Sequence, residues 1–251
     1  MTRTLNVRTD DCSGAVLCDR TTPYGNRFVV GRDGDRLEVI AKHAAWLFRS
    51  GVYKVAVRDL RDRDLACHCA PLPCHCDTLR LVAATGTYPK EYAGVGNRYG
   101  VPDSELEFVE RLAAYLARIG FTCRSGGAVG TDTAFERGAT DVGQRLLEKF
   151  SANGVRRSPL RDELMEVSAR HHPDWEACDD YVRLLHARNA QIVLGKTMVL
   201  PVRFVLCWAA DPSKGGTSQA LRLADHYGIK WVNLRDAGAR YLFEKRMEKA
   251  R

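Results

Sequence analysis

The chain reads as an α/β protein in which an open parallel sheet with helices on both faces is preceded by a smaller α/β domain. Two observations predict this. Beyond residue 90, short apolar runs at 92–95, 121–123 and 204–208 alternate with stretches of helical periodicity. That is the pattern of parallel βαβ units, whose sheets are covered on both sides. Each run also leads into a glycine-rich turn: Gly94-Val95-Gly96-Asn97-Arg98, Ser125-Gly126-Gly127-Ala128-Val129-Gly130-Thr131-Asp132, and Gly215-Gly216-Thr217-Ser218. Glycine lets backbone N–H groups approach an anion, and the first turn of the following helix favours negative charge. Three such turns predict helix N-termini meeting at one anion, at the carboxyl edge of the sheet.

Residues 1–88 make the smaller domain in this reading. Strands are expected at 5–7, 15–18 and 28–30, the last after the turn around Gly25-Asn26. Asp35 suits the N-cap of a helix reaching Arg49, with Leu37, Ile40, Ala41, Ala44, Trp46 and Leu47 as its apolar stripe and Gly51 as its stop. A further helix is expected over 78–84. The polar turn at 85–90 marks the boundary, and 89–251 forms the larger domain. Strands there are expected at 91–96, 121–125, 202–209 and 230–234. Helices are expected over 102–119, 132–142 and 217–227, with one long helical stretch over 161–194.

At 251 residues, 45% apolar and 27% charged, the chain has room for both cores. No run approaches the roughly 18 apolar residues of a membrane span, and Met1-Thr2-Arg3 opens no signal-peptide core. A cytoplasmic protein without a membrane partner is expected, in the host cytoplasm if a phage encodes it. The net charge of +7 divides as +3 over residues 1–88 and +4 over the remainder. So dispersed an excess permits a phosphate-bearing ligand or nucleic acid without requiring either. Nine cysteines in a reducing compartment argue against a disulfide framework, and Cys123 and Cys207 fall in apolar runs as small core residues.

Four of the nine lie within Cys67-His68-Cys69-Ala70-Pro71-Leu72-Pro73-Cys74-His75-Cys76-Asp77. Cys67, Cys69, Cys74, His75 and Cys76 offer soft ligands for zinc, with Cys67, Cys69, Cys74 and His75 as the set of four, although structural zinc sites usually space their C-x₂₋₄-C pairs by a longer loop. Alternatively, Cys74 opens a helix, where unpaired N–H groups lower a thiol pKa, and His75 and Asp77 could assist a nucleophile. Plain packing of buried thiols is the third reading. With Gly25-Asn26 and the helix bearing Trp46-Leu47, the cluster resembles an uncharacterised domain of phage and bacterial proteins, over about residues 5–84. The resemblance implies an N-terminal pocket formed by Gly25, Asn26 and Asp77. It carries no chemistry, and Arg27 departs from the usual Gly-Asn-Pro-Phe.

Over about residues 90–236, four ordered motifs resemble one superfamily: Gly94-x-Gly96-x-Arg98, Ser125-Gly126-Gly127 through Asp132 and Glu136, Arg188-Asn189, and Gly215-Gly216-Thr217. It is the Rossmann-like superfamily (SLOG) that includes DNA-processing protein A and the phosphoribohydrolases once labelled lysine decarboxylases. The resemblance implies a Rossmann-like fold with a nucleotide or phosphate pocket, but no single activity, since members include hydrolases, sensors and single-strand DNA binders. The phosphoribohydrolases carry an acid after their last glycine turn. Position 219 here is Gln, which cannot ionise, so that role does not transfer.

The residues themselves point the same way. Arg98 can clamp a phosphate bidentately. Asp132 and Glu136, one helical turn apart, can meet a sugar hydroxyl or act as base, although Asp132 also suits an N-cap. Thr131 and Thr217 can offer hydroxyl and N–H to phosphate. The expected ligand-binding set is Gly94, Gly96, Arg98, Ser125, Gly126, Gly127, Thr131, Arg188, Asn189, Gly215, Gly216 and Thr217. Asp132, Glu136, Cys74 and His75 are the expected catalytic groups if an N-glycosidic bond is hydrolysed or transferred. His171-His172 with Cys178 lacks a second ligand pair at usable spacing. The expected partner is a nucleotide-derived small molecule, with single-stranded DNA or a nucleotide signal as alternatives, in a homo-oligomer. No cofactor beyond zinc at the cysteine cluster is expected.

Overall fold

The structure, a computed structural model, describes residues 2–143 and 146–250. Its internal contacts divide it into two units: Met1–Pro89 with Met198–Pro201, and Lys90–Thr197 with Val202–Arg251.

In the smaller unit, β1 (Thr4–Asn6), β2 (Val16–Leu17) and β3 (Leu65–Cys67) form a parallel sheet in the order β1-β3-β2. Helix α1 (Arg36–Arg49) starts at Asp35, whose side chain accepts from the Glu38 N–H. The expected strand at 28–30 is absent; Val29 instead closes a turn with Asp33. Gly51 does not end the helical region. It adopts φ +78° and starts α2 (Val52–Leu60), so the left-handed residue separates two helices. Helix α3 (His75–Thr85) begins three residues earlier than expected. Leu47, Leu60, Leu65 and Leu79 are fully buried in the core between these elements.

The larger unit contains β4 (Glu91–Gly96), α4 (Asp103–Arg118), β5 (Thr122–Ser125), α5 (Thr131–Val142), β6 (Leu147–Lys149) and α6 (Ala152–Arg156). After these come α7 (Arg161–Arg170), α8 (Asp180–Leu194), β7 (Phe204–Trp208), α9 (Gly215–His226), β8 (Lys230–Asn233) and α10 (Ala237–Lys249). The five strands are all parallel, in the order β6-β5-β4-β7-β8. Helices α4, α5 and α10 pack on one another as one layer, and α6 to α9 form another. This is a Rossmann-like architecture. The helical stretch expected over 161–194 is broken by the loop at 171–179, where Pro173 sits.

Strand order reverses between β4 and β7, so the connections leaving these neighbours diverge and open a crevice beyond their carboxyl ends. The register pairs Gly96 with Trp208 at that edge. Phe108, Leu112, Phe135 and Leu206 fill the core beneath it. Gly94 has a packing reason to be glycine: a Cβ there would lie 2.6 Å from the Phe135 ring.

Candidate functional site

A pocket of about 350 Å³ opens at this strand switch. Four segments build its wall: Val95 to Tyr99 at and beyond the end of β4, Ala128 before α5 with Asp132 in its first turn, Arg188 and Asn189 on α8, and Lys214 to Thr217 at the start of α9. Backbone N–H groups, three cations and one carboxylate thus converge in one crevice.

Arg188 is the most informative member. Only 6% exposed, it carries a buried Nε without a hydrogen-bond partner among the described residues. Burial lowers its pKa, against the pull of Asp132. A buried guanidinium nitrogen left without a partner costs free energy unless something anionic completes it. Gly126 stands directly behind it, since a Cβ at that position would overlap the guanidinium.

Asp132 accepts from the N–H groups of Gly96 (3.1 Å) and Ala128 (3.4 Å), and so ties two of the turns together. Burial pushes its carboxyl up to about 6, opposed by Arg188 and those two N–H groups. Asn189 Nδ2 donates to the Gly216 carbonyl at 3.0 Å, which fixes the first turn of α9. Lys214, at the N-cap, supplies no side-chain cap, so the first N–H groups of α9 face the pocket without one. Arg98 and Tyr99 stand at the mouth, with Tyr99 80% exposed.

Of the expected ligand-binding residues, Gly96, Arg98, Arg188, Asn189, Gly215, Gly216 and Thr217 line the pocket. Gly94, Ser125, Gly126, Gly127 and Thr131 do not. Gly94 packs on Phe135. Thr131 is fully buried and gives both its N–H and its hydroxyl to the Asn97 carbonyl, at 3.1 and 3.0 Å. Ser125 donates to Glu136 at 2.8 Å while accepting from the Gly127 N–H at 3.2 Å. Glu136 also pairs with Lys149 at 2.6 Å, so among the expected acids only Asp132 reaches the wall. These residues brace the turns from behind. Asn97, Tyr99, Ala128 and Lys214 were not anticipated; an aromatic beside Arg98 and a lysine before the last glycine pair were the available signals. Gln219 is buried, donating to the Ser168 carbonyl at 2.9 Å, and serves packing between α9 and α7.

In the smaller unit a separate cleft of about 390 Å³ is lined by Asn26, Phe28, Val39, Cys67, Cys69 and His75, among others. Asn26 spans its turn, donating to the Val39 carbonyl (3.0 Å) and accepting from the Phe28 N–H (2.9 Å). Gly25 packs against the Asp19 carbonyl. Asp77 completes the α3 capping box by accepting from the Cys74 N–H at 3.0 Å. Gly25, Asp77 and Cys74 lie off this wall, and Cys74 is almost wholly buried, which does not suit a nucleophile that must meet a substrate. Cys67, Cys74, His75 and Cys76 offer ligand atoms all within 4.8 Å of one another, a set able to hold a metal ion. The smaller set at His172, Cys178 and His186 is also close enough to do so, although the sequence spacing had argued against it.

Residues 3–85 match the family model described as a domain of unknown function (DUF4326). No curated protein matches the chain. Among solved structures, one of DNA processing protein A from Helicobacter pylori, described for its unique single-stranded DNA binding mode, is similar at 22% identity. It matches over 64% of this chain and 74% of its own, with a TM-score of 0.38. No helix among the described residues is long and apolar enough to cross a membrane.

Proposed function

We propose that the larger unit is a nucleotide-binding domain whose pocket holds a phosphate-bearing, nucleotide-derived ligand. The observation that carries this reading is the buried, unpartnered Nε of Arg188 in a pocket edged by uncapped N–H groups of α9. An oxyanion there satisfies the guanidinium and the helix terminus together. Arg98 and Lys214 add charge at the mouth, and Tyr99 offers a face on which a base can stack.

Asp132 is the one expected acid on the wall, and with its pKa near 6 it can exchange a proton near neutrality. It is the group to orient a ribose or to act in cleavage of an N-glycosidic bond. The test is a panel of nucleoside phosphates and sugar phosphates, each incubated with the protein, scored for a shift in Tm and for released base. Ligand at 100 times its Kd stabilises by about 2.7 kcal/mol. A panel without any shift removes the binding reading; a shift without released base removes turnover alone.

A second reading is favoured by the exposed Tyr99 beside Arg98: a single DNA strand whose phosphate enters the same pocket while a base stacks outside. It predicts affinity for oligonucleotides that falls steeply with salt, and a weak response to free nucleotides.

A further inference from the structure

The cysteine cluster of the smaller unit has chemistry that the nucleotide pocket leaves unused. His75 Nε2 lies 2.7 Å from the Cys18 carbonyl, a bond that only a ring N–H at that position can make. The other nitrogen, Nδ1, is therefore a lone-pair site in the neutral ring. It faces only sulfur, 3.5 Å from Cys74 and 4.0 Å from Cys67. Cys69 lies 3.8 Å from Cys67. A tetrahedral zinc ion with ordinary bond lengths separates two thiolates by about 3.8 Å and a thiolate from an imidazole nitrogen by about 3.6 Å. The observed spacings are close to both. Thiols are weak donors and weak acceptors. With Cys67 and Cys74 beside one buried imidazole nitrogen and Cys69 against Cys67, they leave polar atoms that only a cation would satisfy well.

We propose that Cys67, Cys69, Cys74 and the Nδ1 of His75 bind one zinc ion. Cys76 belongs to the mutually close group but stands outside this ligand set, because its sulfur lies 3.9 Å from Nε2, the side of the ring already committed to Cys18. The surrounding structure holds the ligands as an outer shell does. The Cys18 carbonyl fixes the tautomer of His75, the Cys76 N–H points to the Cys74 sulfur at 3.4 Å, and Asp77 holds the Cys74 backbone. Strand β3 supplies Cys67, the loop supplies Cys69, and the start of α3 supplies Cys74 and His75, so the metal would staple these three segments. Cys67, Cys69 and His75 also line the adjoining cleft, which places the ion at its floor. Zinc fits because the donors are three soft thiolates and one imidazole, all of which it accepts without redox chemistry.

The test uses the full chain, purified without chelator. Elemental analysis is expected to give one zinc per chain, and exchange with cobalt is expected to produce intense sulfur-to-cobalt charge-transfer absorption. Cys69→Ser, half-exposed in the loop, is expected to weaken zinc retention against a chelator by more than the about 10- to 100-fold of an outer-shell partner. Cys76→Ser is expected to stay within that range. Metal-free protein whose thiols give no such absorption with added cobalt overturns the proposal. So does loss of zinc in Cys76→Ser with retention in Cys69→Ser.

Discussion

Arg188 carries the largest share of the functional account, and its variants separate binding from folding. Arg188→Met keeps the side-chain bulk but removes the charge-assisted contacts, each worth about 1.5–3 kcal/mol. The expected loss in ligand affinity is about 10- to 150-fold, read by calorimetric titration. The same variant removes a charge buried without full pairing. At pH 5, where Asp132 is mostly neutral, unliganded Arg188→Met should be at least as stable as the wild type. Gly126→Ala tests the same point from behind, because its methyl needs the space of the guanidinium; weaker binding with an intact fold is expected.

Asp132 gives a pH dependence with a definite sign. Its carboxyl titrates near 3.8 when unfolded and at about 6 in the native unit, so the native state holds the proton more tightly. That contribution is fully present below the unfolded value and is lost as pH rises through 6. The loss is on the order of 3 kcal/mol. Asp132→Asn does not titrate, so its stability relative to wild type should rise by about that amount between pH 4 and 7 in denaturant melts. A difference that stays flat across this range contradicts the assignment. Sequence reasoning placed Asp132, Arg98 and Thr217 at the pocket because their types and spacing advertise anion chemistry. It could not tell that Thr131, Ser125 and Glu136 turn inward, since a brace behind a turn and a ligand in front of it use the same polar residues.

The elements were legible where a periodic apolar stripe met a cap. Helix α1, with Asp35 at its start, announces itself in this way, whereas α4, which has no side-chain cap, is read from the stripe that buries Leu112 and Leu116. Helix α10 has no buried residue and therefore no stripe to read. Strand β6 is three residues long and two of them, Glu148 and Lys149, are charged, as an edge strand can be. Helix α2 was hidden because Gly51 resembles a terminator, although Val52, Ala56 and Leu60 carry its stripe. Packing between β4 and α5 can be tested at Gly94. Replacement by Ala forces a methyl against Phe135, and a cost of about 1–3 kcal/mol in thermal or denaturant unfolding is expected. A neutral result would mean that α5 does not sit on β4 as described.

At the scale of the whole molecule, each contact-defined unit has its own core, and the sites lie in different units. Two unfolding transitions are expected in calorimetry, with a nucleotide raising one and zinc removal lowering the other. The segment Met198–Pro201 belongs with the smaller unit, where the Pro201 carbonyl accepts from Tyr88 Oη at 2.8 Å. A fragment ending at residue 89 therefore lacks part of its own core edge, a long-range contact that no local pattern signals. Whether Arg188 completes an anion pocket is decided by titrating nucleoside phosphates into wild-type protein and Arg188→Met at low and high salt. Saturable wild-type binding that is lost in the variant is the predicted result. Equal binding by both proteins, or none by either, contradicts it.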